Sequence, residues 1–408
     1  MSYLSHLECA SSGARFTADR LRNNCCGGGD ILEARYDMER LRREVSREDI
    51  ARGPGSLWRY APLLPASHPE DAVTLGEGWT PLLPAPALSR QLGLRHLFIK
   101  DEGRNPSGTF KDRGASVAMT RLRELGAGTV IHNSSGNAGA SWALYAARAQ
   151  IACVNLLAED VLEPSLQQSS LAGATTYVVH APWRQSGAMV AAAERHGWFN
   201  VGTLREPYRL EGKKTMGFEI CEQLGWETPD VVVYPTGGAL GAIAIFKAFR
   251  ELKELGWIGS DSDPRLVVVQ YEGCAPIVRA FRDGKDDVET WENLDVLPGG
   301  LKSPTPPGGR AILRILRETG GAAITVGSKE SLDAVREMAR LEGVFACPEG
   351  AATLAGLKKA LDDGLVGRDE RIVLMNTGSG LKSIANMAKP AAHVARSAED
   401  IAGPRDLA

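Results

Sequence analysis

The sequence predicts an α/β protein built on mostly parallel sheets. From Leu94 onward, short runs rich in β-branched residues alternate with longer stretches of helical periodicity, which is the pattern of strand–helix–strand units. The runs predicted as strands are Val130–Ile131, Ala152–Leu157, Thr175–Val179, Val231–Tyr234, Leu266–Gln270 and Ile372–Leu374. The stretches predicted as helices are Ser141–Ala149, Arg209–Leu224, Ile243–Leu255, Ser328–Leu341 and Ala351–Leu361. The Pro- and Gly-rich segment Leu297–Gly309 is the main candidate for a mobile loop.

Composition argues against several classes of protein. A chain of 408 residues has room for two or three domains, and 43% hydrophobic with 24% charged residues is typical of a soluble globular protein. A net charge of −3 predicts neither a nucleic-acid partner nor a membrane partner. No apolar run has the length of a membrane span, and the polar start predicts no signal peptide. The seven scattered cysteines fit free thiols, so we expect a cytoplasmic protein.

The most informative segment is Asn105–Gly114, which reads N-P-S-G-T-F-K-D-R-G. It follows the short apolar run Leu97–Ile99 and places Lys111 between a turn of small residues and the predicted start of a helix. A lysine at such a junction is well placed to form a Schiff base with an aldehyde cofactor. The alternative is a surface lysine in a polar loop.

Two further segments join a predicted strand to a predicted helix through small residues. Asn133–Ser141 reads N-S-S-G-N-A-G-A-S, and its backbone N–H groups and short hydroxyls suit an anionic carboxylate. Pro235–Ala242 reads P-T-G-G-A-L-G-A, and its glycines let the backbone approach a phosphate. Each segment alone is weak evidence, because capped helices and nucleotide-binding turns share these compositions.

Two segments near the C-terminus complete the set. Asn376–Lys382 reads N-T-G-S-G-L-K after the predicted strand Arg371–Met375, and it offers the hydroxyl of Thr377. Phe345–Ala352 reads F-A-C-P-E-G-A-A. Its Glu349 either reaches a cofactor ring or complements the dipole of its own helix.

With the lead-in G-E-G-W-T-P-L at Gly76–Leu82, these segments resemble, in content and order, the fold-type II family of pyridoxal 5'-phosphate (PLP) enzymes, and within it the threonine synthase branch. The resemblance spans residues 76 to 382. It implies two open, mostly parallel twisted sheets flanked by helices. It also implies a large PLP-binding domain over residues 46–113 and 200–408, a small substrate-binding domain over residues 114–199, and a homodimer.

The resemblance assigns roles to individual residues. Lys111 binds PLP and acts as the base at the substrate Cα, while Asn137 hydrogen-bonds the cofactor's phenolic oxygen and Thr377 faces its ring nitrogen. The turn that holds the cofactor phosphate comprises Gly237, Gly238, Ala239, Leu240 and Gly241. Ala239 and Leu240 depart from the glycine and threonine of the family pattern. The substrate carboxylate is assigned to Ser134, Ser135 and Ala138.

The resemblance favours conversion of O-phospho-L-homoserine and water to L-threonine and phosphate. The family's threonine after the loop asparagine is Ala138 here, and its N-x-x-N-P-x-R-x-x-G-Q-K-T segment reads T-L-R-E-P-Y-R-L-E-G-K-K-T over Thr203–Thr215. The substrate phosphate would therefore depend on Arg205, Arg209 and Lys213, which would also have to neutralise Glu206.

Those departures leave two alternatives open. One is PLP-dependent β-elimination or β-replacement on another amino acid, such as threonine, serine or O-phosphoserine. The other is a binding protein that has lost its activity. In each case the partner is a small amino acid, with no nucleic acid and no membrane.

Residues 1–45 are predicted to form a degenerate zinc-ribbon-like segment without metal. Many relatives begin with a C-x-x-C pair followed by C-x-C-G. Here Ser12 replaces the second ligand and the later pair reads Cys25-Cys26-Gly27, so that only Cys9, Cys25 and Cys26 supply sulfur. A structural zinc site needs four ligands.

Overall fold

The computed structural model describes residues 2–23, 31–180, 183–259 and 263–387. Its strands are β1 (Leu4–Cys9), β2 (Arg15–Phe16), β3 (Leu32–Tyr36), β4 (Leu82–Pro84), β5 (His96–Asp101), β6 (Thr129–Ser134), β7 (Ala152–Ala158), β8 (Thr175–Val179), β9 (Phe199–Asn200), β10 (Val231–Pro235), β11 (Arg265–Tyr271), β12 (Ala322–Val326) and β13 (Arg371–Asn376).

The α-helices are α1 (Met38–Glu44), α2 (Arg47–Ala51), α3 (Pro86–Leu92), α4 (Lys111–Glu124), α5 (Asn137–Ala149), α6 (Glu163–Leu171), α7 (Trp183–Ala193), α8 (Tyr208–Gln223), α9 (Leu240–Glu254), α10 (Pro276–Arg282), α11 (Gly309–Glu318), α12 (Ser328–Glu342) and α13 (Pro348–Asp362). Short 3₁₀ turns cover Leu57–Leu63, Pro69–Asp71, Glu102–Arg104, Glu194–His196 and Gly380–Asn386. Within the described ranges, no helix combines the length and the apolar character that crossing a lipid bilayer requires.

The described strands form three sheets. The largest has the order β12-β11-β10-β13-β5-β4 and is parallel except for the β4–β5 pair. The second, β8-β7-β6-β9, is entirely parallel. The third is an antiparallel sheet near the N-terminus with the order β2-β1-β3. The prediction of an α/β fold with two mostly parallel sheets flanked by helices is confirmed.

The central strands are buried on both faces, which explains their composition. Every residue of β10, Val231–Pro235, is buried, and the run contains three consecutive valines rather than an alternation of apolar and polar residues. Helices cover both faces of a parallel sheet, so a continuous apolar run is the expected pattern. Two large apolar clusters fill the space between these strands and their helices.

The chain beyond each of four strands carries one of the segments predicted to be functional. Asn105–Gly114 follows β5, Asn137 follows β6, the glycine turn at residues 237–241 follows β10, and Thr377 follows β13. In open α/β sheets, ligands bind outside the carboxyl ends of the strands. The topology therefore gathers these segments at the strand ends where a site is expected.

The N-terminal sheet contains part of the predicted zinc-ribbon-like segment. Cys9 ends β1 and is buried. Cys25, Cys26 and Gly27 lie outside the described residues. In the part of the chain that is described, no cluster of His, Cys, Asp or Glu has the geometry of a metal site. The degenerate ribbon stays a prediction.

A buried ionic network joins α4 to α8. The guanidinium of Arg113 donates to both carboxylate oxygens of Glu102 and to both of Glu219, over 2.5–2.7 Å. Glu219 also accepts from Nζ of Lys100 at 2.7 Å. Although burial alone would raise the pKa of Glu219, the charges of Arg113 and Lys100 lower it. The network is fully shielded from solvent, so its charges depend on one another.

The same two helices touch through glycines. A Cβ on Gly212 of α8 would lie 1.9 Å from the carbonyl oxygen of Arg113, and one on Gly114 of α4 would lie 2.8 Å from that of Arg209. Any side chain at Gly212 would force the backbones apart. The separation of α4 and α8 is therefore set by backbone contact.

We expect Glu219→Gln to destabilise the protein by about 3–5 kcal/mol, because it leaves Arg113 and Lys100 buried without their shared counter-charge. The measurement is the midpoint of urea unfolding. The control is Asp333→Asn, which breaks the exposed pair with Lys329 and should leave the midpoint nearly unchanged. Equal midpoints for the two variants would contradict the importance of the network.

Candidate active site

A cavity of about 1000 Å³ lies at these strand ends. Every residue that the sequence analysis assigned to the cofactor or substrate lines it: Lys111, Ser134, Ser135, Asn137, Ala138, Arg205, Arg209, Lys213, Gly237, Gly238, Ala239, Leu240, Gly241 and Thr377. Phe110, Tyr234, Cys347 and Glu349 line it as well. Residues far apart in the chain thus face one space, while their individual roles stay predictions.

Lys111 is the first residue of α4 and extends along the preceding aromatic ring. Its Nζ lies 4.3 Å from the centroid of Phe110. The backbone N–H of Phe110 donates to the carbonyl of Thr377 at 3.1 Å, which fixes the lysine beside the end of β13. Burial, with the charge of Arg209, lowers the pKa of Lys111 to about 7. A substantial fraction of neutral amine is therefore present at neutral pH.

Asp112 fixes the start of α4, a role that the sequence analysis missed. Its carboxylate accepts the Ser107 N–H and the Ser141 hydroxyl, both at 2.6 Å. Ser141 belongs to α5, so this side chain ties the lysine helix to the asparagine segment. Burial raises the pKa of Asp112 to about 6. Its place directly after Lys111 in the motif K-D-R-G is the sequence feature that could have pointed to this role.

The asparagine segment forms a tight turn at the N-terminus of α5. Ser134 Oγ accepts the N–H groups of Gly136 and Gly139 at 3.1 and 3.0 Å. Gly136 has φ 133°, and a Cβ there would press against Val161 and Ser165 at 3.1–3.2 Å, so glycine is required. Ser165 donates its hydroxyl to Asn137 Oδ1 at 3.0 Å. This orientation leaves the Nδ2 group of Asn137 as the donor that can reach a ligand.

The turn between β10 and α9 brings backbone close to the cavity. A Cβ on Gly237 would lie 2.2 Å from the carbonyl oxygen of Gly300, and one on Gly241 would lie 1.8 Å from the Tyr234 hydroxyl. Ala239 precedes α9 with φ 66°, a left-handed conformation that favours glycine. This conformation accounts for the glycine of the family pattern at that position. The N–H groups at the start of α9 can hold a phosphate.

Thr377 lies beside a thiol rather than a carboxylate. The Sγ atom of Cys347 is 3.8 Å from Thr377 Oγ1, and it accepts the Gly350 N–H at 3.3 Å as the N-cap of α13. Glu349 points elsewhere: its Oε1 accepts the N–H of Gly300 at 2.7 Å. The structure therefore gives Glu349 a contact that neither sequence-based alternative included.

One wall of the cavity carries the basic side chains of Arg205, Arg209 and Lys213. Lys213 is buried with its Nζ 4.7 Å from the Phe110 centroid, and the described residues offer it no carboxylate within salt-bridge distance. Burial and the charges of Lys111 and Arg209 lower the pKa of Lys213 well below its usual value. Arg209 donates to the carbonyl of Val201 at 2.9 Å. Such a wall favours an anionic ligand.

Glu206 does not line the cavity with these cations. Its carboxylate accepts the backbone N–H groups of Tyr208 and Arg209 at 2.7 and 2.9 Å, at the start of α8. Burial raises the pKa of Glu206 to about 7. The repulsion of a substrate phosphate that the sequence suggested is weakened, because this carboxyl is turned to the backbone and is partly protonated near neutral pH.

A lysine whose pKa is lowered to about 7, a turn in which Gly237 and Gly241 have no room for a side chain, and a wall of basic side chains are what a site for a phosphorylated aldehyde requires. Comparisons with known proteins agree. Residues 73–378 match the family model described as "Pyridoxal-phosphate dependent enzyme". The threonine synthase of Methanocaldococcus jannaschii is 38% identical over 92% of both chains, and that of Methanosarcina acetivorans is 37% identical over the same shares. The chain belongs to the family of PLP-dependent enzymes, in its threonine synthase-like branch.

Solved structures show the same fold at lower identity. Maize serine racemase superposes with a TM-score of 0.63 at 20% identity, covering 74% of this chain and 88% of that one. Diaminopropionate ammonia lyase from Escherichia coli gives 0.65 at 18% identity, covering 77% and 87%. These likenesses confirm the fold-type II architecture, and the family membership confirms PLP as cofactor and a lyase as the class of enzyme.

We expect PLP incorporation into the cofactor-free protein to follow the titration of Lys111. The neutral amine attacks the aldehyde, so the rate should rise with pH and level off above about pH 7–8 instead of rising toward pH 10. Arg209→Met should move the midpoint to higher pH, because it removes a charge that lowers the Lys111 pKa.

The measurement is borohydride trapping at each pH, followed by peptide mapping of the labelled lysine. Lys329→Met removes an exposed positive charge outside the cavity and should leave the midpoint unmoved. A label on a lysine other than Lys111, or a wild-type midpoint near 10, would refute this assignment.

Proposed function

We propose that the protein is a threonine synthase, which converts O-phospho-L-homoserine and water to L-threonine and phosphate. The observation that carries the proposal is that Arg205, Arg209 and Lys213 line the same cavity as the glycine turn. The cofactor brings one phosphate, and the turn at the start of α9 suits it. A separate group of basic side chains in the same cavity suits a substrate that carries its own phosphate. The 37–38% identity to proteins named threonine synthase supports the same choice.

In the proposed reaction the cofactor supplies an electron sink that acidifies the substrate carbon–hydrogen bonds. Lys111 accepts the Cα proton, and its lowered pKa suits a base at neutral pH. After a further proton leaves Cβ, the phosphate departs from Cγ. Arg209 and Lys213 stabilise the negative charge on this leaving group. A water molecule then adds its hydroxyl group to Cβ and its remaining proton goes to the released phosphate, while the two protons removed earlier return to Cγ and Cα.

The remaining assignments orient the reactants. We propose that Asn137 donates through Nδ2 to the cofactor's phenolic oxygen and that Thr377 faces the ring nitrogen. The N–H groups around Ser134, Ser135 and Ala138 would hold the substrate carboxylate. Thr377 is a neutral hydroxyl, so the ring nitrogen is not driven to its protonated form.

The location, the assembly and the domain limits are part of the same proposal. We propose a cytoplasmic homodimer whose small domain covers residues 114–199. The second sheet, β8-β7-β6-β9, falls in this range except for the end of β9. The large domain would comprise residues 46–113 and 200–408, with the cavity between the two.

Ala138 supports a second candidate, β-elimination on threonine or serine. This residue is small and lines the cavity, so it offers a substrate phosphate no hydroxyl. A shorter substrate without a phosphate would fit the same space. The two candidates differ in substrate and product, so one experiment separates them.

We expect Lys213→Met to raise the KM for O-phosphohomoserine about tenfold or more, since a charge-assisted contact is worth roughly 1.5–3 kcal/mol. Ala138→Thr should leave this activity unchanged or improve it by adding a hydroxyl. The measurement is release of phosphate and threonine from O-phosphohomoserine, alongside keto acid and ammonia from threonine, serine and O-phosphoserine. The control is Lys329→Met, which also removes one positive charge but lies outside the cavity and should leave the KM unchanged.

The outcome that would refute threonine synthase is also defined. Keto acid from threonine without turnover of O-phosphohomoserine, together with impairment of that reaction by Ala138→Thr, would establish β-elimination instead. Rapid phosphate release from O-phosphohomoserine with threonine as product would exclude β-elimination as the main activity.

A further inference from the structure

The glycine-rich segment Leu297–Gly309 forms part of the cavity wall and is anchored on several sides. The Gly300 N–H donates to Glu349 Oε1 at 2.7 Å. Asn386 donates to the carbonyl of Pro298 at 3.1 Å, and Lys302 forms an ion pair with Asp160. The mobility predicted for this segment stays a prediction. Any such motion would have to break these three contacts.

Gly300 links this segment to the turn between β10 and α9. Its carbonyl oxygen would lie 2.2 Å from a Cβ on Gly237, so the two backbones are in direct contact. The same residue therefore contacts Glu349 through its N–H and the Gly237 turn through its carbonyl. A shift of Glu349 would therefore shift Gly300, and with it the backbone that packs against Gly237.

Glu349 is built into this contact. The residue is buried in the first turn of α13, where Cys347 already caps the helix. A Cβ on Gly299 would lie 2.1 Å from Glu349 Oε1, and Gly299 has φ 147°. The backbone thus leaves room for the carboxylate only because residue 299 is glycine. The carboxylate and the segment fit each other closely.

We propose that Glu349 is a positioning residue that holds Gly299–Gly300 against the Gly237 turn and so keeps the phosphate end of PLP enclosed. This inference rests on the proposed role of that turn in binding the cofactor phosphate. Enclosure excludes water, which strengthens the hydrogen bonds from backbone N–H groups to a phosphate. Loss of the Glu349 contact would loosen the segment and release the cofactor faster.

The test uses the full chain with Glu349→Ala, Glu349→Gln and the control Glu330→Ala. The control removes a comparable bond, from the Gly327 N–H to Glu330 at 2.6 Å, on α12 outside the cavity. Two quantities are measured: amide hydrogen exchange over residues 297–309 in the cofactor-free protein, and PLP dissociation from the loaded enzyme into excess scavenger.

We expect Glu349→Ala to accelerate both exchange and PLP release about tenfold, because it leaves the Gly300 N–H without its acceptor. Glu349→Gln should stay within about twofold of wild type, because its amide oxygen can accept the same N–H. Glu330→Ala should change neither. Rescue by glutamine separates positioning of the segment from an effect of the negative charge on the cofactor.

Three results would overturn the inference: an Ala variant that behaves as wild type, a Gln variant as impaired as Ala, or faster exchange with unchanged PLP release. If Glu349→Ala does not fold, Gly299→Ala takes its place, because its methyl displaces the carboxylate, and unchanged exchange there would be equally decisive. The exchange measurement needs no cofactor. Failure of PLP to label Lys111 would instead count against the proposed function.

Discussion

The pairing of buried Arg113 with Glu102 and Glu219 is the constraint on which the site depends. Arg113 lies two residues after Lys111 on α4, and Glu219 lies on α8, the helix that carries Arg209 and Lys213. A charge without solvent must keep its partners, since losing one leaves the others uncompensated. The network therefore fixes the position of the proposed base on α4 relative to the proposed phosphate ligands on α8.

Much of the site could be predicted because its motifs are short continuous segments. The contacts that hold these segments in place join residues far apart in the chain and could not be predicted. Lys111 and Thr377 each lie in a short segment after a strand, and parallel strands bring such segments together. The bond from Gly300 to Glu349 joins residues 49 positions apart, and no pattern within either segment indicates it. Two of the predicted helices begin too late, since α13 starts at Pro348 and α5 at Asn137. The first turn of each contains a glycine and a polar residue, Glu349 or Asn137, so it lacks the apolar periodicity that marks the rest of the helix.

The electrostatics of the cavity follow from where its carboxylates point. Glu206 is turned to the first N–H groups of α8, and Glu349 to the Gly300 N–H. Neither forms an ion pair with Lys213 within the described residues, and burial with the charges of Lys111 and Arg209 keeps the pKa of Lys213 low. Burial therefore disfavours the charged form of Lys213, and an anionic ligand would offset that cost. If an anionic ligand binds these side chains as proposed, its binding and the conformational stability of the protein are linked.

The contact between Gly114 and Gly212 ties packing to acidity. Lys111 lies three residues before one glycine and Lys213 directly after the other, so the approach of the two backbones also sets the approach of the two amines. Each of two like charges makes the other easier to deprotonate as they come closer. A hydrogen atom in place of a methyl, far from any reacting bond, thereby helps to keep the pKa of Lys213 low. In this enzyme, the distance between the α4 and α8 backbones therefore affects the protonation of a side chain in the cavity.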